Sequence, residues 1–211
     1  MTYKDYQKSR DLVWKIILDM GFAELPIRVS EICKKLNISL LTYRGGQKII
    51  DRYQLQKKTK QTDGFTLCAN GRYIILYNEQ CSDQRNRFTI AHELGHILLK
   101  HIPTDGVHIT TINREPSPGD DPEEQQANVF AARLLAPACV LWGMHVSSAP
   151  QIAEVCQISE TAATFRMNRL QLLYDREKRY LAERGKSCFC LSPLEQKVYR
   201  QFHQYIYSHL L

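Results

Sequence analysis

His92, Glu93 and His96 form an H-E-x-x-H arrangement inside the largely apolar run Phe88-Thr89-Ile90-Ala91-His92-Glu93-Leu94-Gly95-His96-Ile97-Leu98-Leu99. At about 3.6 residues per helical turn, side chains four apart lie one above the other, so both imidazoles can converge on one ion at about 2.0–2.1 Å. This is the spacing of a zinc site. Glu93 is too close along the chain to be the usual third ligand, but it can reach a water on the metal and act as general base. Gly95 is an unfavourable choice inside a helix, by roughly 1 kcal/mol against Ala, which predicts a packing or access reason for it.

A catalytic zinc site ordinarily takes three protein ligands and keeps one position open, so a further ligand has to come from another element. The segment from Asp121 to Leu135 offers one. Asp121 is a suitable N-cap, Pro122 fits the first helical position, and Pro137 stops the helix. Glu124 and its neighbour Glu123 both stand in the first turn; either carboxylate can complete a His/His/Glu set, and both also complement the helix dipole. Asn128 shares a face with Glu124, Ala127 and Ala131, which suits it to support the site from behind. His101, nine positions after His92, is expected to point away from the metal and to meet the last helical carbonyls. The longer H-E-x-x-H-x-x-G-x-x-H pattern is absent, since Leu99 and Ile102 occupy its Gly and third His positions.

The remaining elements are legible from periodicity and turn residues. Leu12, Val13, Ile16, Ile17 and Met20 mark a helix from about Tyr3, stopped by Gly21. A short helix over Val29 to Leu36, with Ser30 as its expected cap, precedes a strand from Ile38 to Tyr43. Gln47 to Lys60 is expected to be a loop or irregular helix whose lysines 57, 58 and 60 are solvated. Gly64 to Cys68 and Tyr73 to Tyr77 read as strands joined by an Asn70-Gly71 turn and packed on the zinc helix. An edge strand there could hold an extended peptide by main-chain pairing if a cleft adjoins it. Four prolines and two glycines from Pro103 to Pro122 predict a long loop beside the site.

Past Pro150, Ile152 to Cys156, a turn at Gln157 to Ser159 and a helix from Glu160 to Leu170 are spaced like a helix-turn-helix, with Arg166 and Arg169 on the second helix. A charged helix is expected over Asp175 to Lys186. Cys188 and Cys190 supply at most half of a tetrahedral metal site and are expected as reduced thiols. Leu194, Val198, Phe202, Ile206 and Leu210 predict a helix over the final segment from Pro193.

With 44% hydrophobic and 24% charged residues, the 211-residue chain has ordinary globular composition and enough length for a sizeable core. The net charge of +6 permits contact with nucleic acid or an acidic partner, but the basic residues are dispersed. Seven cysteines without a repeating frame argue against a secreted disulfide scaffold. No signal peptide or membrane span is apparent, so a cytoplasmic protein without a membrane role is expected.

His92-Glu93-Leu94-Gly95-His96, led in by Arg87-Phe88-Thr89-Ile90-Ala91 and followed by Glu124-x-x-Ala127-Asn128-x-Phe130-Ala131-Ala132-x-Leu134-Leu135-x-Pro137, resembles the ImmA/IrrE family of metallopeptidase-like proteins of bacteria and their mobile elements. The resemblance covers roughly residues 25–175 and departs at Ala136, where the family often has Met. It implies a zincin-like α+β fold, Glu124 as third ligand, and a cytoplasmic regulatory peptidase whose substrate is often a helix-turn-helix repressor. The expected organisation is a metallopeptidase domain over 1–136 with a small β-sheet packed on the H-E-x-x-H helix, a helix-turn-helix-like subdomain over 137–175, and a helical tail over 176–211. In this reading His92, His96 and Glu124 hold Zn²⁺ and Glu93 is the catalytic base. The rival is a non-proteolytic zinc-binding regulator, or a DNA-binding factor with a vestigial zincin site.

Overall fold

The computed structural model describes residues 3–110, 121–184 and 191–210, and the fold is mixed α+β. The chain divides into two compact units, one of residues 1–9 and 28–131, the other of residues 10–27 and 132–211.

The first unit is organised by a four-stranded sheet of β1 (Ser39–Thr42), β2 (Gly64–Ala69), β3 (Arg72–Tyr77) and β4 (Val107–Ile109), in the order β1-β3-β2-β4. β1 runs parallel to β3, while β2 pairs antiparallel with both β3 and β4. Asn70 and Gly71 take positive φ of 52° and 75°, the two-residue hairpin turn that their sequence announces. β2 is buried on both faces, and its alternation decides what each face meets. Phe65 and Leu67 join Leu76, Ile50 and Leu55 in one core. Gly64 and Thr66 face the other way, toward α5 (Asp83–Leu98), which packs on β2 and β3. A Cβ at Gly64 would stand 2.4 Å from the Thr89 methyl and 3.0 Å from the Leu76 carbonyl, so glycine is what lets helix and sheet approach.

One local expectation is sharpened and two change. The stretch from Gln47 to Lys60 forms two short helices, α3 (Gln47–Arg52) and α4 (Gln56–Gln61), anchored by buried Ile50 and Leu55. The loop expected after Pro103 contains β4, a strand too short to show a period of its own; residues 111–120 of that loop lie outside the described residues. Ser30 is the second residue of α2 (Val29–Lys35), whose N-cap position is Arg28. α6 (Pro122–Leu135) begins as expected, with Asp121 Oδ1 accepting the Glu123 N–H at 3.0 Å.

The second unit is helical. It holds Arg10 to Met20 of α1 (Tyr3–Met20), then α7 (Ala138–Gly143), α8 (Ala149–Cys156), α9 (Glu160–Arg184), α10 (Pro193–Gln201) and α11 (His203–Ser208). α8 packs on α9 across a three-residue connection that turns at Gln157, φ 51°. α9 runs unbroken from Glu160 to Arg184, so the helix read to Leu170 and the charged helix read from Asp175 are one element. Arg166 is buried and its Nε donates to the Ala136 carbonyl, so one of the two arginines on which a DNA-reading role leaned faces the interior. In the final segment Val198, Phe202 and Ile206 are buried as their spacing predicts, although the helix breaks at Phe202 and Leu210 is exposed. Gln201 Nε2 ties α10 to the end of α1 by donating to the Ile17 and Phe22 carbonyls at 3.0 and 2.6 Å. Cys188 and Cys190 lie outside the described residues. Cys33, Cys68, Cys81, Cys139 and Cys156 form no disulfide, and burial pushes the Cys33 thiol pKa up to about 12.

Candidate metal centre

The centre is assembled from two helices of the first unit. α5 is capped by Ser82, whose hydroxyl accepts from the Arg85 N–H, and its second half is almost wholly buried. His92 and His96, at 3% and 4% exposure, share the inward face predicted from their spacing. Their Nε2 atoms lie 3.0 Å apart. The first turn of α6 brings Glu124 to meet them, with Oε2 3.3 Å from His92 Nε2 and Oε1 3.1 Å from His96 Nε2. Ligand atoms of His92, His96 and Glu124 all fall within 4.8 Å of one another, and among the described residues these three are the group that could hold a metal ion. Glu123, the rival on the same turn, is exposed and outside this set.

Gly95 acquires its reason here. A Cβ on it would stand 3.1 Å from Ala127 Cα, 3.2 Å from Phe130 Cδ1 and 3.3 Å from the Ala127 carbonyl. The bare glycine allows α6 to lie against α5 at the height where Glu124 and Asn128 must reach the histidines.

The tautomers follow from hydrogen bonding. Asn128 Oδ1 lies 3.0 Å from His92 Nδ1. With the amide oxygen accepting, Nδ1 carries a hydrogen, and Nε2 is the ring atom turned toward Glu124 and His96. This is the supporting role the sequence suggested for Asn128. His101 departs from expectation: its Nδ1 lies 3.2 Å from His96 Nδ1, so its ring meets a ligand imidazole rather than the helix's last carbonyls. Burial and the neighbouring His96 lower the basicity of the His101 imidazole.

Electrostatically the trio is prepared for positive charge. Burial alone would raise the Glu124 pKa, but hydrogen bonds from His92 and His96, with their charges, hold it at about 2. Burial works to lower that of His96, and the Glu124 hydrogen bond with the charges of Glu93, Glu124 and Glu123 carries it above its ordinary value. A carboxylate stabilised in the ionised form beside two imidazoles is a donor set suited to a divalent cation.

Glu93 is fully buried, and its two oxygens have different surroundings. Oε2 accepts from Thr66 Oγ1 at 2.6 Å and from Thr110 Oγ1 at 2.8 Å. Thr110 Oγ1 in turn accepts the Thr66 N–H at 2.7 Å, so its donor is committed to Glu93. Oε1 is buried without a hydrogen-bond partner among the described residues. An interior carboxylate oxygen left bare is costly, by about 1–3 kcal/mol or more, unless a proton-bearing ligand belongs there. Lys58, expected in solvent, is half-buried, and its Nζ donates to the Thr110 carbonyl at 3.3 Å. Burial lowers its pKa, and the charge of Glu93 works in the opposite direction.

Thr66 and Thr110 are functional candidates that sequence reasoning missed. The one available signal was a hydroxyl within a strand otherwise destined for burial; Thr110 sits in a stretch with no period at all.

The family profile described as an IrrE N-terminal-like domain, a peptidase family, matches residues 33–174, which include both halves of the centre. No curated protein matches the chain. Among the described residues no helix is long and apolar enough to cross a membrane. With paired motifs on two helices, their side chains gathered around one point, and a profile spanning most of its length, the chain belongs to the ImmA/IrrE family of metallopeptidases.

Proposed function

We propose that this protein is a zinc endopeptidase that cleaves a helix-turn-helix transcriptional repressor in a bacterial or mobile-element switch. The observation that carries the peptidase reading is the one-sided hydrogen bonding of Glu93: Oε2 is occupied by two hydroxyls, and Oε1 is left for a proton. His92, His96 and Glu124 hold the zinc, with Asn128 fixing the ring of His92. Zinc bound there supplies Lewis-acid chemistry, making water nucleophilic near neutral pH and drawing charge onto a carbonyl oxygen. As the attacking water adds to the peptide carbonyl, its proton passes to Glu93 Oε1. The same oxygen returns it to the amide nitrogen as the C–N bond breaks. Because Oε2 is committed to Thr66 and Thr110, one atom serves both transfers and the carboxylate need not rotate between them. Among the described residues β4 forms one edge of the sheet and ends one residue before Thr110, a placement that suits an extended substrate pairing along the side away from β2. The repressor as substrate is supported by the family resemblance.

The test is to quantify zinc in wild type and Glu93→Gln, then incubate each with helix-turn-helix repressors encoded beside the gene. One zinc per chain in both proteins, and cutting by wild type alone, is the expected result. Zinc without cutting by wild type selects the non-proteolytic regulator, and absence of zinc removes the site.

A further inference from the structure

His101 follows His96 by five residues, a separation that on a continued helix would carry its side chain to another face. The chain does not continue as a helix. α5 ends at Leu98 with Leu99 as C-cap, and Lys100 enters the left-handed region at φ 65°. The Lys100 N–H then bonds to the Ile97 carbonyl at 3.1 Å and the His101 N–H to the His96 carbonyl at 2.9 Å, the reciprocal pair that closes a helix end. The reversal returns His101 to the residue whose backbone it bonds. Its ring stands at 76° to that of His96 with centroids 5.1 Å apart, and the two Nδ1 atoms lie 3.2 Å from each other.

One of those nitrogens must donate. His96 Nε2 faces Glu124 Oε1 and His92 Nε2, the side on which the three ligand atoms converge. A neutral imidazole that binds metal through Nε2 carries its hydrogen on Nδ1. His96 is therefore the donor and His101 the acceptor, with the hydrogen of His101 on its own Nε2. The Gln126 side chain of α6, two residues past Glu124, is a second hydrogen-bond partner of His101. His101 is not itself a ligand, because it meets the nitrogen of His96 opposite the one turned to the centre.

We infer that His101 is a positioning residue of the metal centre, its Nδ1 accepting from His96 Nδ1 and so holding the ring with Nε2, the ligand atom of the metal-bound form, turned toward His92 and Glu124. His92 has Asn128 for the same purpose, so each ligand imidazole is oriented by an acceptor behind it. This inference rests on the metal-site part of the function proposed above and is independent of cleavage.

The test measures zinc affinity of the full chain by competition with a chromophoric chelator, for wild type, His101→Leu and His101→Asn. Asn places an amide oxygen as many bonds from Cβ as Nδ1 of His, and so restores the acceptor without the ring. His101→Leu is expected to bind zinc about 10- to 100-fold more weakly, and His101→Asn to remain within about threefold of wild type. Thermal midpoints of the metal-free variants separate affinity from folding. Equal affinity in His101→Leu overturns the inference, as does His101→Asn binding as weakly as His101→Leu, which would make the ring a packing element. Nitrogen-15 NMR of the zinc-loaded wild type reads the same arrangement without a substitution: hydrogen on His96 Nδ1 supports it, and hydrogen on His101 Nδ1 overturns it. Wild type without zinc affinity removes the site and this inference together, whereas tight zinc binding without cleavage leaves the inference standing and removes the peptidase.

Discussion

Thr66 and Thr110 give Glu93 its direction, and the direction is testable with single methyl-for-hydroxyl exchanges. Thr66→Val keeps the shape of the side chain and deletes the 2.6 Å hydrogen bond to Oε2. A charge-assisted bond of this kind contributes about 1.5–3 kcal/mol, so a fall of roughly tenfold to a hundredfold in kcat is expected. KM and zinc content should change little, and Thr66→Ser should recover most of the rate. A rate loss not recovered by serine would place the effect in packing against α5. At this scale the sequence was most informative where helical geometry alone brings residues together: His92 with His96, and Glu124 with Asn128. It was silent on Thr66 and Thr110, and it sent His101 to the helix's last carbonyls rather than to His96. Thr66 and Thr110 are brought together by backbone pairing between partners distant in sequence, whereas His101 is placed by a local reversal at Lys100.

The contact of α5 with α6 is the element on which the centre depends, because neither helix alone carries all three candidate ligands. Gly95→Ala sets two effects against each other. Alanine favours the helix by roughly 1 kcal/mol, while a Cβ pressed against Ala127 and Phe130 costs about 1–3 kcal/mol by overpacking. Since the Ala127 backbone is among the tightest contacts, the relief is a shift of α6, and Glu124 and Asn128 move with it. The expected outcome is a small loss in thermal midpoint with a fall of about tenfold in zinc affinity, measured on the same preparation. An unchanged affinity would show that α6 can absorb the methyl without moving its ligand. Long periodic elements were legible: α5, α6, the β2–β3 hairpin and the α8–α9 pair all stand where sequence pattern put them. Short ones were not. β4 has three residues and no pattern, and α3 and α4 hold their places through Ile50 and Leu55, whose burial depends on the sheet they meet.

For the whole molecule, the division into an α/β unit and a helical unit separates the chemistry from most of the remaining helices. Every side chain of the candidate centre, together with Asn128, His101, Thr66 and Thr110, belongs to the first unit. The dispersed +6 charge matched no single surface in the sequence, and the structure turns Arg166 inward rather than gathering it into a basic face. Global stability is where Glu93 has its widest effect. A buried carboxylate with one oxygen bare opposes folding, and the hydroxyls of Thr66 and Thr110 and the charge of Lys58 offset part of that cost. Glu93→Gln keeps an acceptor for both threonines while removing the charge, so the metal-free variant should melt above wild type. A gain on the order of 1 kcal/mol would appear as about 2–4 °C, and a lower midpoint would show that the charge is compensated in the fold. A higher midpoint for Glu93→Gln, together with loss of cleavage, would set activity and stability in opposition at one side chain. On that outcome, a chain that had abandoned cleavage would become more robust by losing this carboxylate, and its presence would speak against a vestigial site.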